Sequence, residues 1–472
     1  MKKLFISSCM VLLSMLSFAQ GNKFTLQQCV ETAITNNLQV KQSGLQSESA
    51  EVYYKQAKNN MLPNLFADVN HGINQGRSID PFTNNYINQQ VNYGNYSLSS
   101  NTPVFQGLQL QYTAKQNKLA YNASKAEYQQ TKDNIMLQVI LAYLVALNNE
   151  DLLTQAINQA TVSRSQVERL AILNKDGAIP PSQYYDLKGQ LANDEISIVN
   201  NRNAMKTAKL TLSQLMNIEY DSSMQLERLN AEQYATAYEG EVNKIYEIAL
   251  QQLSLVKGTD LRKQSATIGV KAARGYFYPS LYFNGSINTN YSSVATESVY
   301  LNTTNEVTPN YVVISGANNP VISPTKNYNN PKISYSDQFT NNYNPSINLS
   351  LRVPIVNAFR ARNQVSLAKI ALKNAEYVDQ TTRIQLKQNI EQAFLNMNAA
   401  RERYYATVDQ VEAFAESFRA AEVKFNAGSI TSVDYLVAKN NLDRANTNLI
   451  TVRYDYVLRT KILDYYQAKP LW

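Results

Sequence analysis

The chain has 472 residues, with 44 lysines and arginines against 37 aspartates and glutamates, one histidine and two cysteines. A single histidine argues against histidine-based metal or triad chemistry, and two cysteines exclude a cysteine-rich metal site. The net charge of +7 is small and scattered, so it excludes the clustered basic surface that nucleic-acid binding requires.

Residues 1–19 have the pattern of a secretory signal peptide. Two lysines precede a mostly apolar run, and small residues occupy positions −3 and −1 before a cleavage site after Ala19. Cys9 lies too early in this run for a lipidation site. Cys29 then remains as the mature cysteine, and a buried free thiol is its expected role. No later segment has eighteen consecutive apolar residues, so a return to a membrane requires β-strands.

One structural unit occurs twice along the chain. Residues 62–66 match residues 278–282 at an offset of 216, and Gly177-Ala178-Ile179 matches Gly428-Ser429-Ile430 at an offset of 251. Such internal similarity predicts a repeat architecture. The expected organisation is repeat 1 at 20–218, a linker at 219–240, repeat 2 at 241–466 and a C-terminal tail at 467–472.

Four segments alternate between apolar and polar residues, as half-buried strands do. They are predicted at about 64–76, 96–105, 280–290 and 345–356. The polar segment between the last two, 291–344, is predicted to be a long outer loop. Strands with one apolar and one hydrophilic face suit a membrane barrel with a wet lumen or a soluble half-buried sheet. The secretory leader and the aromatic residues beside the strands favour the barrel.

Four strands are too few to close a membrane barrel, because the smallest barrels built from one chain have about eight. An open edge in lipid would leave unpaired backbone groups, each costing on the order of several kcal/mol. Other copies of the same chain must therefore complete the barrel. Cyclic symmetry follows, and three copies would supply about twelve strands.

A long helix is predicted after each strand pair. The stretch from Gln106 to Asn174 lacks proline and would form a helix about 100 Å long. Small and apolar residues recur there, and in the second repeat, at heptad spacing, which predicts a coiled coil. Gly177 and Gly428 then permit the sharp reversals of two helical hairpins, with tips at 174–182 and 425–433.

The doubled order of elements resembles the TolC-like outer-membrane efflux proteins. The motifs are the prolines that end strands before Gly107 and Ala358, the segment 24–28 leading into Asn36-Asn37, and the tip 425–434. The resemblance covers nearly all of the mature chain. It implies a mainly α fold with a membrane β part. Antiparallel hairpins would form an α-barrel through the periplasm, and four strands per chain would contribute to a twelve-stranded β-barrel of a homotrimer in outer-membrane lipid.

The same resemblance implies partners at the hairpin tips. An inner-membrane pump and a periplasmic adaptor would meet the channel there, and the channel itself would be a passive duct. The matching tip residues are Gly177, Ala178, Ile179, Pro180, Gly428, Ser429, Ile430 and Thr431. The alternative is that these residues only form tight turns.

The resemblance also implies a gate residue. Asp434 falls where the family has an aspartate that faces the lumen at the periplasmic constriction. Three such carboxylates in a ring would attract cations and raise one another's pKa. The alternative is a solvated carboxylate at a helix start, where the helix dipole favours negative charge.

The tip departs from the family pattern in several places. Val437 replaces a second aspartate, Ile430 and Phe425 replace the arginine and tyrosine of a polar latch, and Gln183 replaces an acid on the opposite tip. Closure is therefore expected to rest more on apolar contact than on a charged latch.

The leading hypothesis is an outer-membrane export duct of a tripartite efflux system. The outer component of a type I protein secretion system shares the same fold, and a soluble periplasmic coiled-coil scaffold is an alternative of another class. An enzyme is disfavoured, because the acidic pairs Glu150-Asp151 and Asp194-Glu195 are expected on solvated helix faces. No glycine-rich phosphate loop or nucleophile elbow is present, so no catalytic, cofactor or metal site is predicted.

Overall fold

The computed structural model describes residues 23–79, 84–228 and 240–471. The predicted signal peptide at 1–19 and most of the predicted linker lie outside the described residues. The chain divides into two compact units. One comprises Met1–Tyr53, Gln116–Thr267 and Ile370–Trp472, and the other comprises Tyr54–Lys115 and Ile268–Lys369.

Helices dominate the described residues. They are α1 Leu26–Asn36, α2 Leu38–Asn59, α3 Gln109–Lys175, α4 Pro181–Met216, α5 Val242–Gln252, α6 Ser254–Arg274, α7 Tyr335–Asn341, α8 Arg360–Asn426 and α9 Ser432–Tyr466. The two longest, α3 and α8, have 67 residues each. Each reverses into a shorter helix, so the predicted helical hairpins are present.

The strands of the described residues fall into one larger and two smaller sheets. They are β1 Phe66–Asn74, β2 Arg77–Ile79, β3 Tyr86–Asn88, β4 Val91–Gln106, β5 Ser280–Ser292, β6 Val299–Ile314, β7 Ala317–Asn329 and β8 Asn344–Arg352. The larger sheet has the order β1-β4-β5-β8, and all its neighbours are antiparallel. The pairs β2-β3 and β6-β7 each form a separate two-stranded sheet.

The apolar core of the first unit lies between α1, α3, α4, α5, α8 and α9. Residues at the predicted heptad spacing are at its centre. Val139 and Ala146, and likewise Ile390 and Met397, lie seven residues apart and are fully buried. Helix α3 contains a window apolar enough to cross a membrane by length and composition, and 44% of that window is buried in the protein. The core accounts for this apolarity. Cys29 is a buried free thiol, as predicted.

The larger sheet repeats its own register. Ala67 lies opposite Leu98 in the β1-β4 pair, and Phe283 lies opposite Leu349 in the β5-β8 pair. These partners differ by 216 and 251 residues, the two offsets found in the sequence. The two strand pairs are therefore equivalent copies, and the offsets relate them residue by residue.

Strand β4 begins at Val91 rather than near 96. Gly94 and Asn95 near its start are poor strand formers, but both pair with β1 on one side and with β5 on the other. Tertiary pairing of this kind overrides weak local propensity. Strand β8 ends at Arg352 rather than near 356, at the point where its ladder with β5 ends at Ser280.

The sequence pattern predicts a long loop at 291–344, but that segment is largely folded. Strands β6 and β7 form a hairpin joined by Ser315 and Gly316, whose φ angles of 53° and 80° fit a tight two-residue turn. The helix α7 follows. The pattern missed the hairpin because its strands lack clean alternation and contain many asparagines and threonines.

Candidate functional site at the hairpin tips

Both hairpins reverse through the same backbone motif. Gly177 donates its N–H to the carbonyl of Asn174, and Ala178 donates to Leu173. Gly428 and Ser429 make the matching bonds 251 residues later, to the carbonyls of Phe425 and Lys424. This pattern is the Schellman motif, which needs a left-handed residue after the helix. The φ angles of Gly177 and Gly428 are 69° and 72°, a left-handed conformation that favours glycine at both turns.

The two returning helices start differently. Helix α9 begins with a capping box, in which Thr431 accepts the N–H of Asp434, and the Asp434 carboxylate accepts the N–H and hydroxyl of Thr431. Helix α4 has Pro180 at its cap and Pro181 at its first position, with no side-chain cap. A proline there costs nothing, because that N–H has no partner in the helix.

Asp434 lies exposed at the start of α9. The hydrogen bonds from Thr431 hold the pKa of its carboxyl group below the ordinary value. Within one chain Asp434 is therefore an ionised carboxylate beside the positive end of the helix dipole. A carboxylate ring would need other copies of the chain.

An apolar cluster joins the two tips. Phe425 stacks on Tyr435, with ring centroids 4.6 Å apart. The buried members are Leu170, Leu187, Phe425 and Tyr435, and the residues packed against them are Val167, Leu173, Ile179, Tyr184, Phe418, Ile430 and Leu436. The residues that replace the polar latch, Phe425 and Ile430, thus help to hold the two hairpins of one chain together.

Polar contacts flank this cluster. The Ser432 hydroxyl donates to Asp186 over 2.8 Å, and Arg169 donates to the side chain and the carbonyl of Asn426. Sequence reasoning missed Asp186 and Arg169, because it considered only positions matched to a family motif. Charged side chains on the helix faces next to the glycine turns were the available signal.

A buried ionic network lies further along the hairpins. The Nζ of Lys439 lies 3.1 Å from Asp194 and 2.6 Å from Asp443, and its side chain is 2% exposed. Ser163 also donates to Asp194. Burial raises the pKa of the Asp443 carboxyl group, although the hydrogen bond from Lys439 opposes this. The expectation of an exposed Asp194 is wrong, because Lys439 and Ser163 pair with its carboxylate.

The polar face of the larger sheet forms a second candidate surface. Asn101 donates to Asn284, which donates to Asn348 over 2.9 Å, so three strands are linked by one row of amides. A cleft of about 370 Å³ lies among such residues, which are Asp68, Asn70, Asn95, Tyr96, Ser97, Asn288, Thr289, Asn290, Asn342 and Asn344. Mostly neutral hydrogen-bonding groups suit a water-filled lumen.

One family model, described as outer membrane efflux protein, matches residues 29–217 and 245–463. The chain belongs to the outer membrane efflux protein family. Each matched range contains one set of helices, strand pair and helical hairpin. This efflux protein is therefore a protein of the outer membrane, as the leader and the resemblance predict. No curated protein matches the sequence.

Solved structures share the fold of this efflux protein. The outer membrane protein VceC of Vibrio cholerae has a TM-score of 0.74 at 15% identity, over 95% of this chain and 97% of that one. The CmeC outer membrane channel of Campylobacter jejuni has 0.73 at 15%, over 94% and 85%. The open state of the MtrE channel of Neisseria gonorrhoeae has 0.65 at 15%, over 94% and 88%.

The other acidic pair of the efflux protein, Glu150-Asp151, also forms ion pairs. Glu150 lies 2.7 Å from Lys209, and Asp151 accepts from Arg453 and Arg228 at 2.9 Å and from Tyr454 at 2.8 Å. Both acidic side chains are less than one-fifth exposed. The expectation of a solvated helix face is wrong here too, because the pair joins α3 to α4 and α9 through ion pairs.

The structure brings the predicted tip residues into two groups. Ile179 and Ile430 are half-buried in the apolar cluster. The other predicted tip residues are exposed, and they are Gly177, Ala178, Pro180, Gly428, Ser429, Thr431 and Asp434. The exposed group forms the solvent-accessible surface of the two turns.

Proposed function

We propose that three copies of this chain form a passive channel from the periplasm to the exterior. The twelve-stranded barrel would cross the outer membrane and the helical hairpins would form a tunnel in the periplasm, as the outer part of a tripartite efflux system. The observation that carries the proposal is the larger sheet, whose edge strands β1 and β8 each have one strand neighbour in the described chain.

The internal repeat indicates what pairs with those edges. Strand β4 of the first repeat pairs with β5 of the second. By the two offsets, β8 is the equivalent of β4, and β1 is the equivalent of β5. The same pairing applied again joins β8 to β1 of a neighbouring copy. Repetition of this step closes a ring, which removes the edges that lipid would leave unsatisfied.

The register of this contact follows from the β4-β5 pair. Ser100 lies opposite Gly285, which places Leu351 of one copy opposite Val69 of the next. Both side chains are about two-thirds or more exposed in the single chain. Apolar side chains would thus meet on the lipid-facing side of the barrel.

The polar face supports the same register. Asn101 lies opposite Asn284, which places Arg352 of one copy opposite Asp68 of the next. Both side chains are exposed, and no carboxylate of the described residues pairs with Arg352. An arginine and an aspartate directly opposite each other on neighbouring strands attract. The derived register therefore yields a complementary charge pair between copies.

The strand-to-helix junctions give a further sign of a missing neighbour. Gly107 and Leu108 have φ angles of 58° and 61°, and their equivalents Ala358 and Phe359 have 51° and 58°. The first junction contacts Tyr278. In the second junction, Phe359 is 71% exposed in the single chain. A neighbouring copy would supply that contact.

The tips support the proposal of an adaptor and a pump. Two Schellman motifs present the exposed turn residues Gly177, Ala178, Pro180, Gly428, Ser429 and Thr431. Ile172, Tyr185 and Val433 add exposed apolar surface nearby. Such a surface suits docking of a helical partner. The energy for transport would come from the pump.

Disulfide crosslinking tests the assembly. Asp68→Cys with Arg352→Cys should crosslink copies in outer-membrane extracts, with bands up to three chains on a non-reducing gel. Directly opposed Cβ atoms are about 4.5–5.5 Å apart, within reach of a disulfide after a small shift. The matched control is Asn70→Cys with Arg352→Cys, on the same face but two residues out of register. Cys29 is buried, and burial raises its pKa to about 12, so it will not compete.

A ladder that ends at two chains, or equal crosslinking by the control pair, would contradict this register and this assembly. The physiological role needs a deletion strain. Sensitivity to detergents and dyes would support efflux, whereas loss of a secreted protein with unchanged sensitivity would identify a type I secretion channel instead.

A further inference from the structure

A cavity with a basic rim lies at one end of the larger sheet. Its volume is about 450 Å³, and it is formed where β4 continues into α3 and where α6 leads into β5. The lining residues are Phe105, Gly107, Leu108, Tyr112, Lys271, Arg274 and Tyr278. All of them belong to the same compact unit.

The close approach of two glycines shapes this cavity. A Cβ atom on Gly107 would lie 2.6 Å from the carbonyl of Gly275 and 2.6 Å from Tyr278, and a Cβ on Gly275 would lie 2.7 Å from Gln109. Such distances exclude any larger residue without movement of the backbone. The two junctions are therefore held together, and the cavity is formed in the single chain.

Two cations on the rim, Lys271 and Arg274, have no ionic partner among the described residues. Lys271 and Arg274 are one helical turn apart in the last turn of α6, and both side chains are exposed. Neighbours at this spacing lie on one face of a helix. Among the described residues, no carboxylate lies within ion-pair distance of either. The carbonyl groups at the end of α6 favour cations, but they do not account for an aromatic cavity beside them.

The opposite wall is apolar and continuous with the lipid-facing side of the sheet. Phe105 lies opposite Leu281, which lies opposite Leu351, so these three side chains share the apolar face. Leu108 is 47% exposed beside them. The cavity therefore lies at the boundary between the apolar strand face and the polar helices, with Tyr112 and Tyr278 at that boundary, where amphipathic rings are favoured.

We propose that this cavity binds the phosphate group of a membrane phospholipid. Lys271 and Arg274 would contact the phosphate, and the acyl chains would extend along Phe105, Leu108 and the apolar face of the sheet. Basic pockets at the membrane boundary bind anionic headgroups in this way. The proposal rests on the outer-membrane location of the protein and does not require a trimer or transport.

The first repeat carries the same pair of cations. Lys55 and Lys58 in the last turns of α2 precede Lys271 and Arg274 by 216 residues each. Both helices that lead into the larger sheet thus place two cations one turn apart just before the strands. The recurrence on two separate helices points to a function at this level of the membrane.

Native mass spectrometry of the detergent-purified protein tests the proposal, with dioleoyl-phosphatidylglycerol as the probe. Charge near a membrane surface contributes about 1 kcal/mol per cation, so Lys271→Ala or Arg274→Ala should weaken binding about 5-fold and the double variant about 30-fold. Lys257→Ala, an exposed lysine of the same helix outside the cavity, is the matched control and should bind like wild type.

Two further arms identify the ligand. Diacylglycerol, which lacks phosphate, should bind wild type and the double variant equally, and inorganic phosphate should not displace the lipid at lipid concentrations. The exchange variant Lys271→Arg with Arg274→Lys keeps both charges and should bind within about 2-fold of wild type. Wild-type binding by the double alanine variant, equal loss in Lys257→Ala, or displacement by inorganic phosphate would overturn the proposal.

Discussion

Lys439 of α9 lies 3.1 Å from Asp194 of α4, and each side chain is less than one-tenth exposed. A charge on the second hairpin is thus neutralised by a charge on the first, in the interior of the hairpin pair. Asp443 shares the lysine from its other side. The position of one hairpin is therefore tied to the other by an ionic contact as well as by the apolar cluster at the tips.

The Lys439→Met variant should lose the ionic contact that holds the two hairpins together. It leaves Asp194 and Asp443 without their cation in a buried site, a change that costs about 3–5 kcal/mol in comparable pairs. Amide hydrogen exchange in the tip segments should become at least 100-fold faster. Lys439→Met with Asp194→Asn should recover part of the loss, and Lys424→Met, at an exposed lysine near the tip, should change little. Equal exchange in Lys439→Met and wild type would contradict a stabilising role.

The glycine turns of this site could be predicted from the sequence, but its buried ionic contacts could not, for a physical reason. The glycine turns are local, because a left-handed residue after a long helix is required within a few positions. The partner of Asp194 is 245 residues away, and its burial depends on how two hairpins pack. Without that packing, an acidic pair on a helix resembles a solvated face.

Some strands could likewise be predicted from the sequence, and others could not. Clean alternation at 281–287 and 347–351 located β5 and β8, because one face of each strand is apolar. Within the part of the chain that the structure describes, β6 and β7 pair only with each other, and they are exposed along most of both faces. Because neither face of this hairpin is buried, its apolar and polar residues need not alternate. The sequence of the hairpin therefore lacks the two-residue period that would predict strands.

Replacement of Gly428 by leucine should impair docking while leaving assembly intact. No atom lies within 4 Å of a Cβ at this position, so the cost is the left-handed backbone, about 1–2 kcal/mol, and an altered turn. We expect loss of pump-dependent resistance at unchanged oligomer yield. Gly189→Leu, at an open helical position of α4, should keep both. A parallel fall in oligomer yield would make Gly428 a structural residue only.

Asp434 should influence ion passage if three copies bring it together. Asp434→Asn removes the charge but keeps a group that can accept from Thr431, so α9 should still start at the same residue. We expect a weaker preference for cations in planar-bilayer recordings, because a ring of carboxylates attracts them. Asp186→Asn, on the other tip, is the comparison. An unchanged selectivity in Asp434→Asn would remove this residue from the gate.

The pH dependence of stability separates the two expected roles of Asp434. Its pKa in the single chain is lowered by the bonds from Thr431. The ionised form then stabilises the helix start above the unfolded pKa of about 3.9, and this stabilisation is lost as the pH falls through the lower folded value. Wild type and Asp434→Asn should differ by a constant amount between about pH 5 and 8 and converge below about pH 4 in thermal unfolding. A gap that instead shrinks well above pH 5 would indicate the raised pKa of a carboxylate ring.

The proposed contact between copies makes the sharpest prediction about charge. Arg352→Asp alone should place two carboxylates opposite each other across the β8-β1 contact. Asp68→Arg alone should place two arginines there. Because like charges repel, each single variant should lower the yield of heat-resistant oligomer. The exchange of both, Asp68→Arg with Arg352→Asp, restores an opposite pair in the same register and should recover most of the yield. The single chain cannot explain such a rescue, because Asp68 and Arg352 lie on the two outer strands of its sheet, separated by β4 and β5. Additive losses in the double variant would show that the two residues do not meet, and the register derived from the repeat would then be wrong.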